Sequence, residues 1–558
     1  MPGVGAVRGY RRSWLRTDLV AGAVLAAILV PQGMAYAQLA GLPAVTGLYT
    51  TVACLVGYAI FGPSRVLVLG PDSSISPLIL AAITPLLVGA DATAAVTLAG
   101  MLALLVGALE IGVGAGKLGF VADLLSKEVQ VGYMNGLAIT IIVGQLPKLC
   151  GFSTDADSFL KEVRVFVEGL DQTHAATLVV GLAVLALLLV LPRFTSRVPA
   201  VLAAVVGATV LSAAVGLSDH GVSTVGTLPQ GVPAPSIPWT NAGDVAPLLL
   251  AAIGIALVSL TDTIATATSF AARRGDEVKP NQEMIGIGAA NIAAGLFQGF
   301  AVSTSGSRTA VAEQSGAKSQ LAAVVGAGLV AALLLFFNSL LSALPQSALA
   351  AVVIVAALSL MDIGVLRRYL QIRKSAFAVS VVATAGVVLL GVLQGIVVAV
   401  VLAISLFFRR SWWPHGAILG KLGGDEGWHD LASNPDAEQI PGIVVYRWEA
   451  PLFFANAGSF SQQIRKIVRE RHPRWVVLQC EAVTDVDVTA AEMLERLDNE
   501  LNAAGTHLAF AEMRSRLQEL TLRYGLLDTL DRDHFYPTLD VALEQIQAGD
   551  VKPEHAAP

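Results

Sequence analysis

Arg308 is the first charge after an uncharged stretch, residues 284–307, and it follows directly on Ser305, Gly306 and Ser307. At membrane depth a guanidinium costs roughly 2.5 kcal/mol or more unless something negative meets it. Its planar fork suits the oxygens of a small oxyanion. Asp262 is the second such charge, alone in the apolar run 245–272, and Thr266 lies four residues on, which puts an oxygen on the same helical face. A carboxylate with a hydroxyl beside it, joined by carbonyls near Ser305, could hold Na⁺; the carboxylate could equally take a proton. The chemistry these residues suggest is an anion entering the membrane with a compensating cation. Plainer roles remain open: Arg308 pairing with Glu313 or a lipid phosphate, and Asp262 bonded to a hydroxyl on a neighbouring helix.

The elements that must carry these side chains are membrane helices. Mean hydropathy is +0.67, and 54% of residues are hydrophobic against 14% charged, more apolar surface than a soluble chain of this length could cover. Uncharged runs cover residues 19–64, 319–361 and 375–408. At about 20 residues per crossing each of the first two holds a helical hairpin, with turns near Gly41-Leu42-Pro43 and Pro345. The third holds two shorter helices joined around residues 391–395. Leu, Val, Ala and Gly dominate without period-two alternation, which favours helices over barrel strands. About fourteen membrane segments result, two of them broken in mid-membrane.

Basic residues cluster at alternate ends of these runs, among them Arg8, Arg11, Arg12 and Arg16, Arg193 and Arg197, Arg273, Arg274 and Lys279, and Arg367, Arg368, Arg373 and Lys374. The positive-inside rule then places the N-terminus and the C-terminal tail in the cytoplasm of a multi-pass protein of the inner (plasma) membrane. The first apolar segment is too long for a signal peptide and runs straight into a second span, so it reads as the first helix. Cys54, Cys150 and Cys480 offer neither a disulfide framework nor metal-ligand spacing. No catalytic triad, phosphate-binding Gly-Lys loop or nucleic-acid motif is present, which argues against an enzyme or an ATP-driven pump.

Two broken segments are visible in the sequence. The run 66–71 is β-branched, ends in Gly-Pro, and is followed by Asp72-Ser73-Ser74, a helix-start signal; residues 300–304 are its counterpart, with Ser305-Gly306-Ser307 as the start. Each would present a half-helix N-terminus, with unpaired N–H groups and about half a positive charge, to an anion. Asp72 can also be read as a plain helix cap. After Arg410 the composition changes. Trp412, Trp413 and Pro414 form an interfacial anchor and a stop, and strand-like runs 443–446, 475–478 and 507–510 then alternate with amphipathic stretches 458–471 and 489–504, a small α/β domain. The expected organisation is a cytoplasmic segment 1–17, a transmembrane domain 18–411, a linker 412–440, a soluble domain 441–548 and a flexible tail 549–558.

Over nearly its whole length the chain resembles the SulP sulfate permease family. The motifs are Asp18-Leu19-Val20-Ala21-Gly22 leading to Pro31-Gln32-Gly33-Met34-Ala35-Tyr36; Asn291-Ile292-Ala293-Ala294-Gly295 with Ser307-Arg308-Thr309-Ala310-Val311 and Gly316-Ala317-Lys318-Ser319-Gln320; and Ala450-Pro451-Leu452-Phe453-Phe454, which is similar to a STAS domain. The resemblance implies fourteen segments in a 7+7 inverted repeat, divided into core and gate domains, with half-helices as segments 3 and 10. It implies an anion pocket lined by Gln32, Tyr36, Asp72, Ser73, Ser305, Gly306, Ser307 and Arg308, a coupling-ion site at Asp262 and Thr266, and a homodimer whose STAS domain meets a regulatory protein. Relatives of the STAS domain carry a phosphorylatable Ser or Thr after an Asp; here Thr489 follows Asp487 and Val488 without the usual Ser-Gly or Thr-Gly, and a plain N-cap is the competing role. The implied function is secondary active transport of an inorganic anion by an elevator-like motion, with sulfate the default and bicarbonate, chloride and dicarboxylates open. No cofactor is expected beyond Na⁺ or a proton as coupling ion. An uncoupled exchanger or channel, or an anion sensor, are the alternatives.

Overall fold

The computed structural model describes residues 3, 9–87, 91–119, 126–154, 158–195, 199–422, 427–526, 530 and 532–549. Arg8, Arg197 and all but the first residue of the expected tail lie outside them. The chain divides into two units, residues 1–403 and 404–558.

The first unit is built of helices α1 (Leu15–Leu39) and α2 (Ala44–Phe61), strand β1 (Leu69–Gly70), α3 (Ser76–Ile83), α4 (Ala92–Ala115), α5 (Lys127–Cys150), α6 (Phe159–Glu168), α7 (Ala175–Phe194), α8 (Ala200–Val215), α9 (Ala242–Ala272), α10 (Pro280–Leu296), strand β2 (Ser303–Thr304), α11 (Gly306–Gln314), α12 (Leu321–Phe336), α13 (Gln346–Leu360), α14 (Ile363–Ile372), α15 (Lys374–Leu390) and the start of α16 (Val392–Trp412). Among the described residues, seven helical stretches, α13 counted together with α14, are long and apolar enough to cross a bilayer and five more apolar helices are shorter. With α10 and the half-helix α11 they match the fourteen segments read from the sequence. The amphipathic helices α6 and α14 each fall between the fifth and sixth segment of their half, so the 7+7 arrangement agrees even in its short connectors. The hairpin turns fall where Gly41-Leu42-Pro43 and Pro345 place them, and Gly391, at φ 98°, separates α15 from α16.

Close helix contact comes from glycine. A Cβ on Gly107 would sit 2.6 Å from the Gly288 carbonyl oxygen, and one on Gly288 would sit 2.7 Å from that of Gly107. The α4 and α10 backbones therefore touch, as small residues allow in membranes, where van der Waals packing replaces the hydrophobic drive.

The two broken segments meet. β1 and β2 pair antiparallel, Leu69 with Thr304 and Gly70 with Ser303. Each strand is shorter than the run that announced it, because the flanking backbone is held by side chains instead. Phe300 N donates to Thr50 Oγ1 (3.1 Å), Val302 N to Asn291 Oδ1 (2.7 Å) and Val68 N to Thr309 Oγ1 (3.1 Å). Irregular backbone inside a membrane domain is tolerated only when such groups are satisfied within the protein. α3 begins at Ser76 rather than at Asp72: the intervening turn is closed by Asp72, whose Oδ1 accepts from Ser74 N (3.0 Å) and whose carbonyl accepts from Ser76 N (3.1 Å). Asp18 plays a comparable structural part. It is fully buried and accepts from Lys318 N (2.7 Å), Ser319 N (3.3 Å) and Ser319 Oγ (2.7 Å), fastening the start of α1 to the turn before α12.

The second unit is an α/β domain with strands β3 (Gly416–Lys421), β4 (Trp428–Asp430), β5 (Ile443–Trp448), β6 (Trp475–Gln479), β7 (His507–Ala511) and β8 (Phe535–Tyr536), and helices α17 (Ala457–Arg471), α18 (Val488–Ala503), α19 (Ser515–Arg523) and α20 (Leu539–Ala548). Strand order is β4-β3-β5-β6-β7-β8, parallel from β5 onward. Residues of α17, α18 and α19 cover one face around Trp448 and Phe460, whose rings meet edge to face at 5.3 Å, and α20 covers the other around Trp475. Strands β5, β6 and β7 and helices α17 and α18 lie where their patterns placed them. The stretch expected as linker is a correction: it contributes β3 and β4 to the sheet. Its glycines concealed the strand, since a Cβ on Gly416 would collide with the Tyr446 hydroxyl and one on Gly420 would lie 2.9 Å from Leu431 Cδ2. Thr489 is exposed in the first turn of α18, and the cap is Asp487, whose Oδ1 accepts from Ala490 N (2.8 Å). Cys480 is buried, which pushes its thiol up, out of the range where a thiolate forms.

Candidate functional site

Arg308 enters the membrane domain on α11, and the fold closes over it. The residue as a whole is 2% exposed. Nη1 donates to Pro71 O (2.6 Å), and Nη2 lies 3.5 Å from Gly70 O and 3.4 Å from Asp72 Oδ2. Nε is buried with no partner among the described residues. Gly70 makes the approach feasible, because a Cβ there would stand 3.0 Å from Nη1. The guanidinium thus spans the crossing of the two broken segments, held by the carbonyls of one half while its own helix belongs to the other. Glu313 does not pair with it; that carboxylate meets Arg274 at 2.8 Å instead.

Asp72 stands opposite Arg308 as a counter-charge. Oδ2 faces the guanidinium and Oδ1 accepts from the Ser74 amide and hydroxyl (3.0 and 2.8 Å), so both oxygens are committed and neither can donate to an anion. Tyr36 is buried with its hydroxyl turned to Ser73, beside Asp72 and Arg308. Gln32, one turn earlier on α1, is half-buried with no hydrogen-bond partner among the described residues.

The end of α11 is different in kind. Ser305 caps it, its Oγ 3.5 Å from Arg308 N and 3.0 Å from Ser307 Oγ. Gly306 and Ser307 are exposed, a Cβ on Gly306 would meet nothing within 4 Å, and their N–H groups have no acceptor among the described residues. Those N–H groups are the orphan donors of a helix start. They sit at an exposed helix start whose next residue, Arg308, buries its guanidinium against residues 70–72, a combination of backbone donors and fixed positive charge that suits an anion.

Asp262 is half-buried on α9 and accepts from Gln130 Nε2 of α5 (3.2 Å); its carboxylate also faces Ser74. The crevice beside it, lined by Gln130, Tyr133, Met134, Val258, Thr261 and Ile396, encloses about 10 Å³. Thr266 has no hydrogen bond to Asp262 among the described residues. The oxygens of α9 that reach β2 are those of Ser259, 3.3 Å from Val302 O, and Thr263, 3.5 Å from Thr304 Oγ1. A larger cavity of about 300 Å³ has Thr309 in its wall and is lined by Arg65, Arg274 and Lys279 as well as by Asp276, Glu277 and Glu283, so its formal charges balance.

Sequence reasoning thus named Tyr36, Asp72, Ser73 and Arg308, which the fold brings together, and Ser305, Gly306 and Ser307 at the open helix start. It missed Gln130, which carries no local signal, and it read Gly70 only as the stop of a strand, not as the residue against which the guanidinium lies. Glu110, a buried lone charge in the apolar helix α4, was findable by the criterion that picked out Asp262.

Comparison with known proteins bears on the family and the fold. The sulfate permease family pattern matches residues 15–383 and that of the STAS domain residues 434–542. A protein of Mycobacterium tuberculosis named as a probable sulfate transporter is 41% identical over 97% of each chain. The chloroplastic sulfate transporter 4.1 of Arabidopsis thaliana is 29% identical over 98% of this chain and 83% of its own. In fold, the murine anion transporter Slc26a9 in its inward-facing state superposes with a TM-score of 0.88 at 23% identity, covering 98% of this chain and 94% of that one. The transmembrane domain of the cyanobacterial bicarbonate transporter BicA gives 0.62 at 22% identity, covering 71% and 98%. With the family pattern spanning its membrane segments and a relative this similar end to end, the chain belongs to the sulfate permease family and carries its STAS domain.

Proposed function

We propose that the protein is a secondary active transporter of an inorganic anion, with sulfate as substrate, in the plasma membrane and with its N-terminus and STAS domain in the cytoplasm. The observation that carries this reading is the start of α11: unpartnered N–H groups at Gly306 and Ser307 open to space, with Arg308 buried behind them. Tyr36 and Ser73 complete the lining, and Gln32 borders it. Sulfate is preferred over bicarbonate because the 41% identical relative is named for sulfate, whereas the likeness to the bicarbonate transporter is one of fold.

Charge accounting supports coupling. Asp72 already offsets Arg308, so Asp262 and a divalent anion leave the site strongly negative, and a co-transported Na⁺ or proton at Asp262 reduces that burden. Asp262 with Thr266 one turn on suits Na⁺, and the carboxylate alone suits a proton, so either ion serves this reading. Movement of the anion is by an elevator-like displacement of the core against the gate, in a homodimer. One observation favours an uncoupled exchanger instead: Gln130 satisfies Asp262 and the adjoining crevice is small. Catalysis plays no part in either reading.

Proteoliposomes given labelled sulfate or bicarbonate, with Na⁺ and proton gradients imposed separately, test the proposal. Accumulation of sulfate driven by one gradient is the expected result. Sulfate exchange indifferent to both gradients would establish the uncoupled reading, and failure to move any anion would end both.

A further inference from the structure

Glu110 lies within α4, fully buried, and the site described above does not use it. Oε2 accepts from Asn291 Nδ2 (2.7 Å), while Oε1 is buried without a hydrogen-bond partner of ordinary geometry and faces the Ser259 hydroxyl. The elements packed against α4 supply no positive charge. α10 presents Asn291, and its only ionisable side chain, Glu283, is bonded to Tyr58 and Ser64 two turns away. α9 presents Ser259; its acidic residues are Asp244 and Asp262, and Asp262 is turned to Gln130. α3 contains no ionisable residue. None of these elements contains a Lys or Arg.

An ionised carboxylate enclosed in this way, with no cation and one oxygen unbonded, is among the most costly groups a protein can bury. Hydrogen-bond logic gives the same answer. The Ser259 hydroxyl has one proton and lies 3.3 Å from Val302 O, a carbonyl that can only accept it. Its oxygen is then left to accept, which suits a carboxyl O–H on Oε1. The same cluster holds β2: Asn291 Oδ1 accepts from Val302 N (2.7 Å) while its Nδ2 serves Glu110, and Val302 leads directly into Ser303, Thr304 and the start of α11.

We infer that Glu110 is a second proton-binding site, set in the scaffold behind β2 and linked to the anion site through Asn291 and Val302. This rests on the transport reading for the identity of the linked ligand. The proton remains on Glu110 while the anion is bound; losing it places a full negative charge behind the strand that presents the anion's donors, so anion affinity falls as pH rises. Linkage requires the reverse as well: the anion must tighten the proton.

Two measurements on the full-length protein decide it. The first is the infrared carbonyl band of protonated carboxyl groups at about pH 7, compared between wild type, Glu110→Gln and Asp262→Asn. Loss of a component in Glu110→Gln that persists in Asp262→Asn is expected; no difference between wild type and Glu110→Gln would overturn the proton assignment. The second is sulfate affinity by calorimetry at about pH 6 and about pH 8. Wild type should weaken about fivefold or more at the higher pH, and Glu110→Gln, a neutral mimic, should weaken distinctly less. Equal pH dependence in the two proteins overturns the link. If wild type binds no sulfate at either pH, the transport reading and the link fail together, while the infrared comparison, which needs no anion, still decides whether Glu110 holds a proton.

Discussion

Replacing Asp72 by Asn should tighten anion binding, although it removes a partner of the residue that binds the anion. Asp72 Oδ2 lies 3.4 Å from Arg308 Nη2, with side-chain exposures of 13% and 1%. At that separation and an effective dielectric of about 20, the attraction is about 5 kcal/mol, part of which is spent on desolvating the two charges. An incoming anion competes for the same guanidinium and is repelled by the same carboxylate. Asn keeps the shape and can still accept from Ser74, so Asp72→Asn leaves Arg308 buried with its charge unmet, and a bound anion then supplies what the carboxylate did. A charge-assisted contact contributes about 1.5–3 kcal/mol, so sulfate affinity should rise roughly ten- to a hundredfold. The unliganded variant should be less stable by about 3–5 kcal/mol, the cost of breaking a buried pair from one side. Thermal unfolding of the purified protein over a sulfate titration reads both quantities, because ligand stabilisation grows as the logarithm of concentration over Kd. Affinity equal to or weaker than wild type would refute the reasoning and make Asp72 part of the binding surface rather than a competitor for it.

Other expectations follow from the same geometry. Arg308→Ala should lose sulfate binding by about ten- to a hundredfold and be destabilised by the orphaned Asp72, whereas Arg308→Ala with Asp72→Asn should recover stability without recovering binding; size-exclusion profiles and calorimetry separate the two. Asp262→Asn should abolish gradient-driven accumulation while anion exchange continues, and a gradient that still drives uptake in proteoliposomes would remove Asp262 from coupling. Truncation after Trp413 should leave a folded membrane domain with residual transport, whereas truncation after Leu431 should express worse, because it strands the β3–β4 pair with an open edge; detergent solubility and uptake of the two truncations check this. Gly107→Ala should cost about 1–3 kcal/mol of stability by forcing α4 off α10, measured as a fall in unfolding temperature with sulfate affinity retained in the folded fraction.

The membrane architecture and the position of the two broken segments were legible because both are local properties. A bilayer demands that each spanning segment satisfy its own backbone, so an uncharged run of sufficient length is enough to announce a helix. A β-branched run stopped by Gly70-Pro71, or capped by Ser305, announces a break in the same way. In the STAS domain β5, β6, β7, α17 and α18 showed through their apolar patterns, whereas β3 did not, because Gly416 and Gly420 serve contacts with residues distant in sequence. Arg308 and Asp262 could be singled out because charge in an apolar run is visible without a partner.

What the partners are was decided only by the tertiary fold. Asp72 and Arg308 are 236 residues apart, and Glu110 and Asn291 are 181 apart. Nothing within a helical turn of Asp72 distinguishes a cap from a counter-charge, since its backbone geometry serves both; the pairing arises when the inverted halves bring β1 against β2. For the same reason Thr266 could be picked out by its spacing from Asp262 along the helix, whereas Gln130, on another helix, could not. Spacing along one helix determines which side chains share a face, and the neighbouring helices determine which of them meet a partner.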